Sequence, residues 1–340
     1  MAQPFIPYQP RPEDYWRGII LFGRNVASYK FALGRALLEL RPTSGQLVTL
    51  EELAIPFARH LCDHLRGAKK QGTFGKSRFL EACQRSISGE LSSSQLVDET
   101  VRLGFVNVID AFHIVGRGEV PQRFFTDERK GGGGIRITDE FSKLLDGQQG
   151  QNLPAEAEAR WRLVETAWEL GVSRTVLSVG HDPATETLYV VDGANRRRSV
   201  TGVRHALSGY QKGHCFFCFD GFSLTGAAPP DVDHFFPHAL KAAGWGGTVD
   251  GVWNLVLACP RCNRGVAGKF AAVPSIRLLE RLSSRNEFLI SSHHPLRETL
   301  VAQTGETEEE RRRFLNARHW DAKATLINEW ESSEVTAPLF

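Results

Sequence analysis

Apolar residues recur at helical spacing through the first half of the chain. Between Pro12 and Leu40, Trp16, Ile19, Ile20, Val26, Tyr29, Leu33 and Leu37 follow a 3.6-residue repeat, and the turn-forming stretch RPTSG ends the run. The same pattern predicts helices over about 49–67, 76–88, 94–103 and 155–171. RKGGGGIRITDE interrupts it, because consecutive glycines lose too much chain entropy inside a regular element. A mobile loop before a short strand is predicted there. RTVLSVG and TLYVVDG, rich in β-formers and joined by HDPATE, then predict a β-hairpin near 174–193. Helical patterning returns after 276, where Thr307 and Glu310 predict a capping box and Gly305 the end of the preceding helix. His293 and His294 are adjacent and point different ways on any regular element, so they are read as structural or surface residues.

Composition narrows the class. A chain of 340 residues with 41% hydrophobic and 24% charged content can bury a real core, and its length suggests more than one domain. No apolar run is long enough to span a bilayer, and MAQPFIPYQPRPEDYW lacks a charged segment followed by an apolar one. The expectation is a soluble, cytoplasmic protein without a membrane partner. A formal net charge of +2 says little about nucleic acid, so charge must be read locally. In ANRRRSVTGVRHALSGYQKGH, Arg196, Arg197, Arg198, Arg204 and Lys212 sit opposite an apolar face of Val200, Val203 and Leu207. This segment reads either as solvated surface or as an arm that contacts phosphates, with Arg197 a candidate contact.

Six cysteines carry more information. Cys62 and Cys83 stand alone in helical sequence and read as small buried hydrophobes. CFFC supplies Cys215 and Cys218, and CPRC supplies Cys259 and Cys262. Each pair can present two thiolates from one turn, and two such turns complete a tetrahedral four-sulfur zinc site. Disulfides are the alternative, but no secretion signal points to an oxidising compartment. The spacing between the pairs exceeds that of a simple zinc ribbon, so a further element is expected inside it.

That inserted stretch contains DVDHFFPHAL and then GVWNLVLACPRCN, in the order Asp-His, Asn, Cys-x-x-Cys-Asn. It resembles the HNH endonuclease family, with Asp233 and His234, Asn254, and Asn263 at the matching positions. The resemblance covers about residues 206–275 and implies a ββα-metal module of an H-N-N variant. It implies a general base at His234, whose unperturbed pKa of ~6.5 suits it to take a proton from water. Asp233 and Asn263 would hold one catalytic Mg²⁺ (or Mn²⁺) through hard oxygen ligands, and Asn254 would tie the loop to the hairpin and orient His234. The four cysteines would hold a separate, structural Zn²⁺.

Neighbouring residues carry weaker expectations. Arg264 and Lys269 are candidate phosphate contacts, His238 reads as a turn histidine, and Asp231 as an auxiliary acid on the strand face of Asp233. Val266 stands where many relatives have a basic residue. The expected fold class is α+β, a mainly helical protein containing a small ββα-metal nuclease module with a structural zinc site. Its expected domains are a mostly helical targeting or regulatory region at 1–205, the nuclease module at 206–275 and a helical region at 276–340. The implied function is metal-dependent hydrolysis of double-stranded DNA, leaving 5′-phosphate and 3′-hydroxyl ends, in bacterial restriction, anti-phage defence or a mobile element. Double-strand cleavage would need a homodimer, a second visit or a partner protein. The competing readings are a zinc-stabilised nucleic-acid-binding module that does not cut, and an RNA-cutting or toxin-like effector restrained by the N-terminal region.

Overall fold

The structure is a computed structural model that describes residues 10–21, 27–73, 76–115, 118–147, 149–169, 179–191, 197–291 and 296–332. It is a mixed α and β protein in which helices predominate and the sheets are small. Two compact units are present, Tyr8–Gly171 and Val172–Phe340. The division between them falls near residue 171.

In the first unit, α1 (Pro12–Leu21) and α2 (Tyr29–Leu40) divide the amphipathic run predicted over 12–40. Next come β1 (Leu47–Thr49), α3 (Leu50–Gly67), α4 (Arg78–Ile87), α5 (Ser93–Glu99) and α6 (Val108–Ala111). β2 (Ile114–Val115), β3 (Gly118–Glu119), β4 (Phe125–Glu128), β5 (Gly134–Ile137), α7 (Asp139–Asp146) and α8 (Leu153–Glu169) complete the unit. Capping boxes at Thr49 with Glu52 and at Ser92 with Gln95 fix the starts of α3 and α5. The helix predicted over 94–103 is present, α5 continuing as a π-helix over Thr100–Gly104. Aromatic rings fill the core: Trp16 meets Phe112 and Phe124 edge-on, and Phe57 stacks on Phe79.

The glycine run is a loop ahead of the short strand β5, as expected, and it forms the turn of a hairpin. It links β4 to β5, and β5 also pairs with β1, giving the order β1-β5-β4. Gly133 has a left-handed φ of 71°, and a Cβ on Gly134 would stand 2.0 Å from the Val48 carbonyl oxygen. Glycine is what lets the chain reverse and the strands close up.

His64 joins α3 to α8 by a buried charge network. Its Nδ1 lies 2.7 Å from Glu165 Oε2, its Nε2 3.1 Å from Glu158 Oε2, and its ring stacks on Trp161. Carboxylates only accept, so both nitrogens carry hydrogens and the ring is an imidazolium. Burial lowers its proton affinity, but the two carboxylates outweigh burial and the pKa is raised. Glu158 moves the other way, down to about 2, since its contacts with His64 and Arg162 overcome burial. The His64 contribution is complete below its unfolded pKa of ~6.5 and fades as pH rises through the folded value, while that of Glu158 is complete above ~4.5. His64→Gln is therefore expected to cost about 3 kcal/mol near pH 5.5, with a smaller loss at pH 9. Thermal melts of both proteins at the two pH values check this, and equal losses would refute it.

The second unit opens with an antiparallel sheet of β6 (Gly180–Asp182), β7 (Thr187–Val191) and β8 (Arg197–Gly202). The predicted hairpin is present from Gly180 onward, and its residues 174–178 and 192–193 lie outside the described residues. β8 is a third strand where a basic arm was one expectation, and α9 (Val203–Ser208) follows it directly. Arg204 donates to the Pro230 carbonyl and pairs with Glu186, while Lys212 is buried. Arg196 and the side chains of Arg197 and Arg198 lie outside the described residues.

Next come β9 (Asp231–His234), β10 (Leu255–Ala258), α10 (Pro260–Arg264) and β11 (Val273–Pro274), then α11 (Ile276–Ser291), α12 (Arg297–Thr304), α13 (Glu308–Thr325) and β12 (Glu329–Trp330). The capping box at Thr307 and Glu310 starts α13 as expected, and Gly305 ends α12 with φ 132°. His293 and His294 lie outside the described residues. These last helices were expected as a helical region packed against the module or the N-terminal region, and α11 is built into the cysteine module. Arg281 donates to the Phe216 and Phe217 carbonyls, and Arg285 to those of Leu255 and Trp253, at 2.7–3.1 Å. No described helix is long and apolar enough to cross a membrane.

Candidate active site and metal centre

The two cysteine pairs converge from opposite ends of the β9–β10 region. In the first, Phe219 takes a left-handed φ of 69°, its N–H donates to the Cys215 carbonyl, and the Cys215 N–H donates to that of Asp220. This knuckle turns both sulfurs inward, and the Phe216 N–H ties it to Leu257 of β10. In the second, Cys259 precedes α10 with Pro260 in its first turn, where a missing N–H costs nothing. The Cys262 sulfur follows within that short helix. All four sulfurs lie within 4.8 Å of one another, and those of Cys218 and Cys259 are 3.7 Å apart. Zinc–sulfur bonds of ~2.3 Å in a tetrahedron give sulfur separations of about 3.8 Å. All six cysteines are free. Contact among the clustered thiols, led by that with Cys215, drives Cys259 down and Cys262 up, and a metal binds such a set as thiolates. The cluster is suited to hold a structural metal such as zinc.

Between the pairs, β9 and β10 run antiparallel, with His234 opposite Leu255, Asp233 opposite Val256 and Asp231 opposite Ala258. Alternation along β9 puts Asp231 and Asp233 on one face and His234 on the other. On the aspartate face, Asn263 Nδ2 donates to Asp231 Oδ2 at 3.0 Å, leaving the amide oxygen as its other polar end. Arg264 Nε donates to the same carboxylate at 2.9 Å, and its exposed guanidinium remains open to solvent. Asp233 is buried, and burial pushes its carboxyl up to about 6 against the pull of Lys269. The Lys269 ammonium forms an ion pair with Asp233 Oδ2 at 3.2 Å and also donates to the His234 and Phe270 carbonyls. The Asp233 carboxylate and the Asn263 amide oxygen are hard oxygen groups, the ligand type that a divalent cation takes.

Lys269 does not fit the phosphate contact expected of it. It is 1% exposed, and its ammonium is occupied by backbone carbonyls beneath the site. The chain after α10 turns back on itself, with the Lys269 and Phe270 N–H groups donating to the Cys262 and Asn263 carbonyls, and this carries the side chain inward. Val266 is fully exposed in that turn.

Asn254 is completely buried and uses both ends of its amide. Its Oδ1 accepts from the Phe236 N–H at 2.8 Å, and its Nδ2 donates to the Phe236 and Val249 carbonyls. It therefore clamps the segment just after His234 to the segment just before Asp250. His234 Nε2 lies 3.2 Å from Asp250 Oδ1, and Lys241 Nζ donates to Asp250 Oδ2 at 2.7 Å. His238 is exposed, with Nε2 3.7 Å from Asp250 Oδ1. His181 of β6 packs its ring 6.1 Å from that of His234. Burial lowers the His234 pKa to about 4; Asp250 opposes the shift, and His238 and His181 add to it. The imidazole is neutral at pH 7.

Asp250, Lys241 and His181 were not among the sequence candidates. Asp250 lies in GGTVDGVWN, a 3-10 turn whose pattern of apolar and polar residues gives no direction to any side chain. His181 belongs to a hairpin far from the motif in sequence. Family models, curated proteins and solved structures were each compared with the chain, and none matches.

Proposed function

We propose that the chain is a metal-dependent endonuclease of the HNH type that hydrolyses phosphodiester bonds in double-stranded DNA. The observation that carries this reading is the β9–β10–α10 unit, with His234 on one strand face, Asp231 and Asp233 on the other and Asn263 bonded to Asp231, joined to a four-cysteine centre. His234 accepts a proton from water, and the resulting hydroxide attacks phosphorus. The bond from phosphorus to the 3′ oxygen breaks, and that oxygen takes a proton from solvent, leaving a 5′-phosphate and a 3′-hydroxyl. A divalent cation held by Asp233 and Asn263 supplies charge to offset that building on the phosphoryl and leaving oxygens. Asn254 keeps His234 in register with its neighbours, and Arg264 gives the rim a positive charge for the phosphate backbone.

Incubation of the zinc-loaded protein with supercoiled plasmid and Mg²⁺ tests this. Relaxed or linear plasmid is expected, suppressed by EDTA, and one active centre per chain predicts nicks before linear product. Binding without cutting of modified or unmodified plasmid would overturn it in favour of a binding module. Preferential cleavage of an RNA transcript in a parallel reaction would overturn the DNA assignment.

A further inference from the structure

We propose that Asp250 is the positioning residue for His234, accepting the Nε2 hydrogen so that Nδ1 is the nitrogen that takes the proton from water. This assignment of the reacting atom rests on the nuclease reading; the tautomer itself does not.

The geometry selects the tautomer. Asp250 Oδ1 stands 3.2 Å from Nε2, and a carboxylate can only accept, so the nitrogen facing it carries the hydrogen. The opposite tautomer would turn a nitrogen lone pair toward a negative oxygen. One contact and its surroundings keep Asp250 in place. Lys241 holds Oδ2 and so fixes the rotation of the carboxylate. The Asn254 amide bridges Val249, the residue before Asp250, to Phe236, two residues beyond His234. The Asp250 side chain is 14% exposed, which shields the pair from competing water. His181 closes another side of the imidazole, itself 8% exposed and without a hydrogen bond among the described residues. His238 faces the same Asp250 oxygen at 3.7 Å but is half exposed, so it shares the carboxylate without displacing His234. A carboxylate that orients an imidazole through one nitrogen and frees the other is a recurring way of setting which atom does chemistry.

The test uses the full-length, zinc-loaded protein labelled with ¹⁵N at pH 7.5. Long-range ¹H–¹⁵N spectra of the imidazoles, with His234 assigned by its loss in His234→Gln, are expected to show hydrogen on Nε2 and a bare Nδ1. In Asp250→Ala, and in Asp250→Asn, which preserves volume, the two tautomers are expected to mix. The nicking kcat should fall about 10²-fold in both variants while KM changes less than about twofold. Hydrogen on Nδ1 in the unaltered protein overturns the proposal, as does a tautomer that Asp250→Asn leaves unchanged. If the unaltered protein cuts no plasmid but shows the expected tautomer shift, the nuclease reading fails and the positioning role stands. If it cuts and Asp250→Asn cuts at the same rate, the positioning role is the one that fails.

Discussion

Stripping the metal from the four-cysteine centre is expected to abolish the cooperative melting of the second unit while the first unit keeps its own transition. The elements around the cysteines are slight: β9 and β10 are four residues each, and α10 is five. A lone two-stranded pair is marginal in water, and a short helix adds little. A four-sulfur zinc site contributes on the order of 10 kcal/mol, comparable to the whole stability of a domain. Its sulfurs also join the first knuckle to α10, so loss of the ion frees two segments at once. The first unit has an aromatic core of its own around Trp16 and Phe57. Calorimetry before and after treatment with a strong chelator, with zinc content measured in parallel, checks this. Cys259→Ser should reproduce the loss without chelator. A stripped protein that melts within a few degrees of the zinc-loaded one would remove the structural role assigned to the centre.

His234→Ala is expected to lower the plasmid nicking rate by about 10³-fold with DNA affinity and folding unchanged. The side chain is partly exposed and its hydrogen bond is to Asp250, so its loss leaves no buried group stranded in the hairpin. Asp250 retains Lys241 as a partner. Initial rates on supercoiled plasmid, with binding measured in EDTA, separate chemistry from affinity. A rate within about tenfold of the unaltered protein would remove His234 from the role of general base.

How much of this was legible in the sequence depended on how local each signal is. Two Cys-x-x-Cys turns specify four converging sulfurs almost without reference to the rest of the chain, and helical periodicity located α3, α4 and α8 to within a few residues. The alternating strand DVDH put Asp231 and Asp233 on one face, as its period requires. Long-range choices were not legible. Lys269 read as a candidate phosphate contact because it follows the presumed helix α10, yet a reversal after α10 buries it against His234 and Asp233. The four glycines signalled flexibility, but the partner strand β1, some eighty residues earlier, converts that freedom into close strand contact. Asp250 became visible only once Asn254 had joined two loops. Packing and backbone hydrogen bonding decide such cases, and neither is written in a short window of residues.

The arginines of α11 bear on where the four-cysteine segment can be cut from the chain. Arg281 and Arg285 reach into it and satisfy carbonyls at its first knuckle and at the start of β10. A cassette cut at 275 would carry off the motif and lose the donors that Arg281 and Arg285 supply to those carbonyls. The smallest graftable piece therefore extends through the helix, and recombination or engineering that exchanges specificity regions has its natural seam near residue 171, upstream of the β6 hairpin.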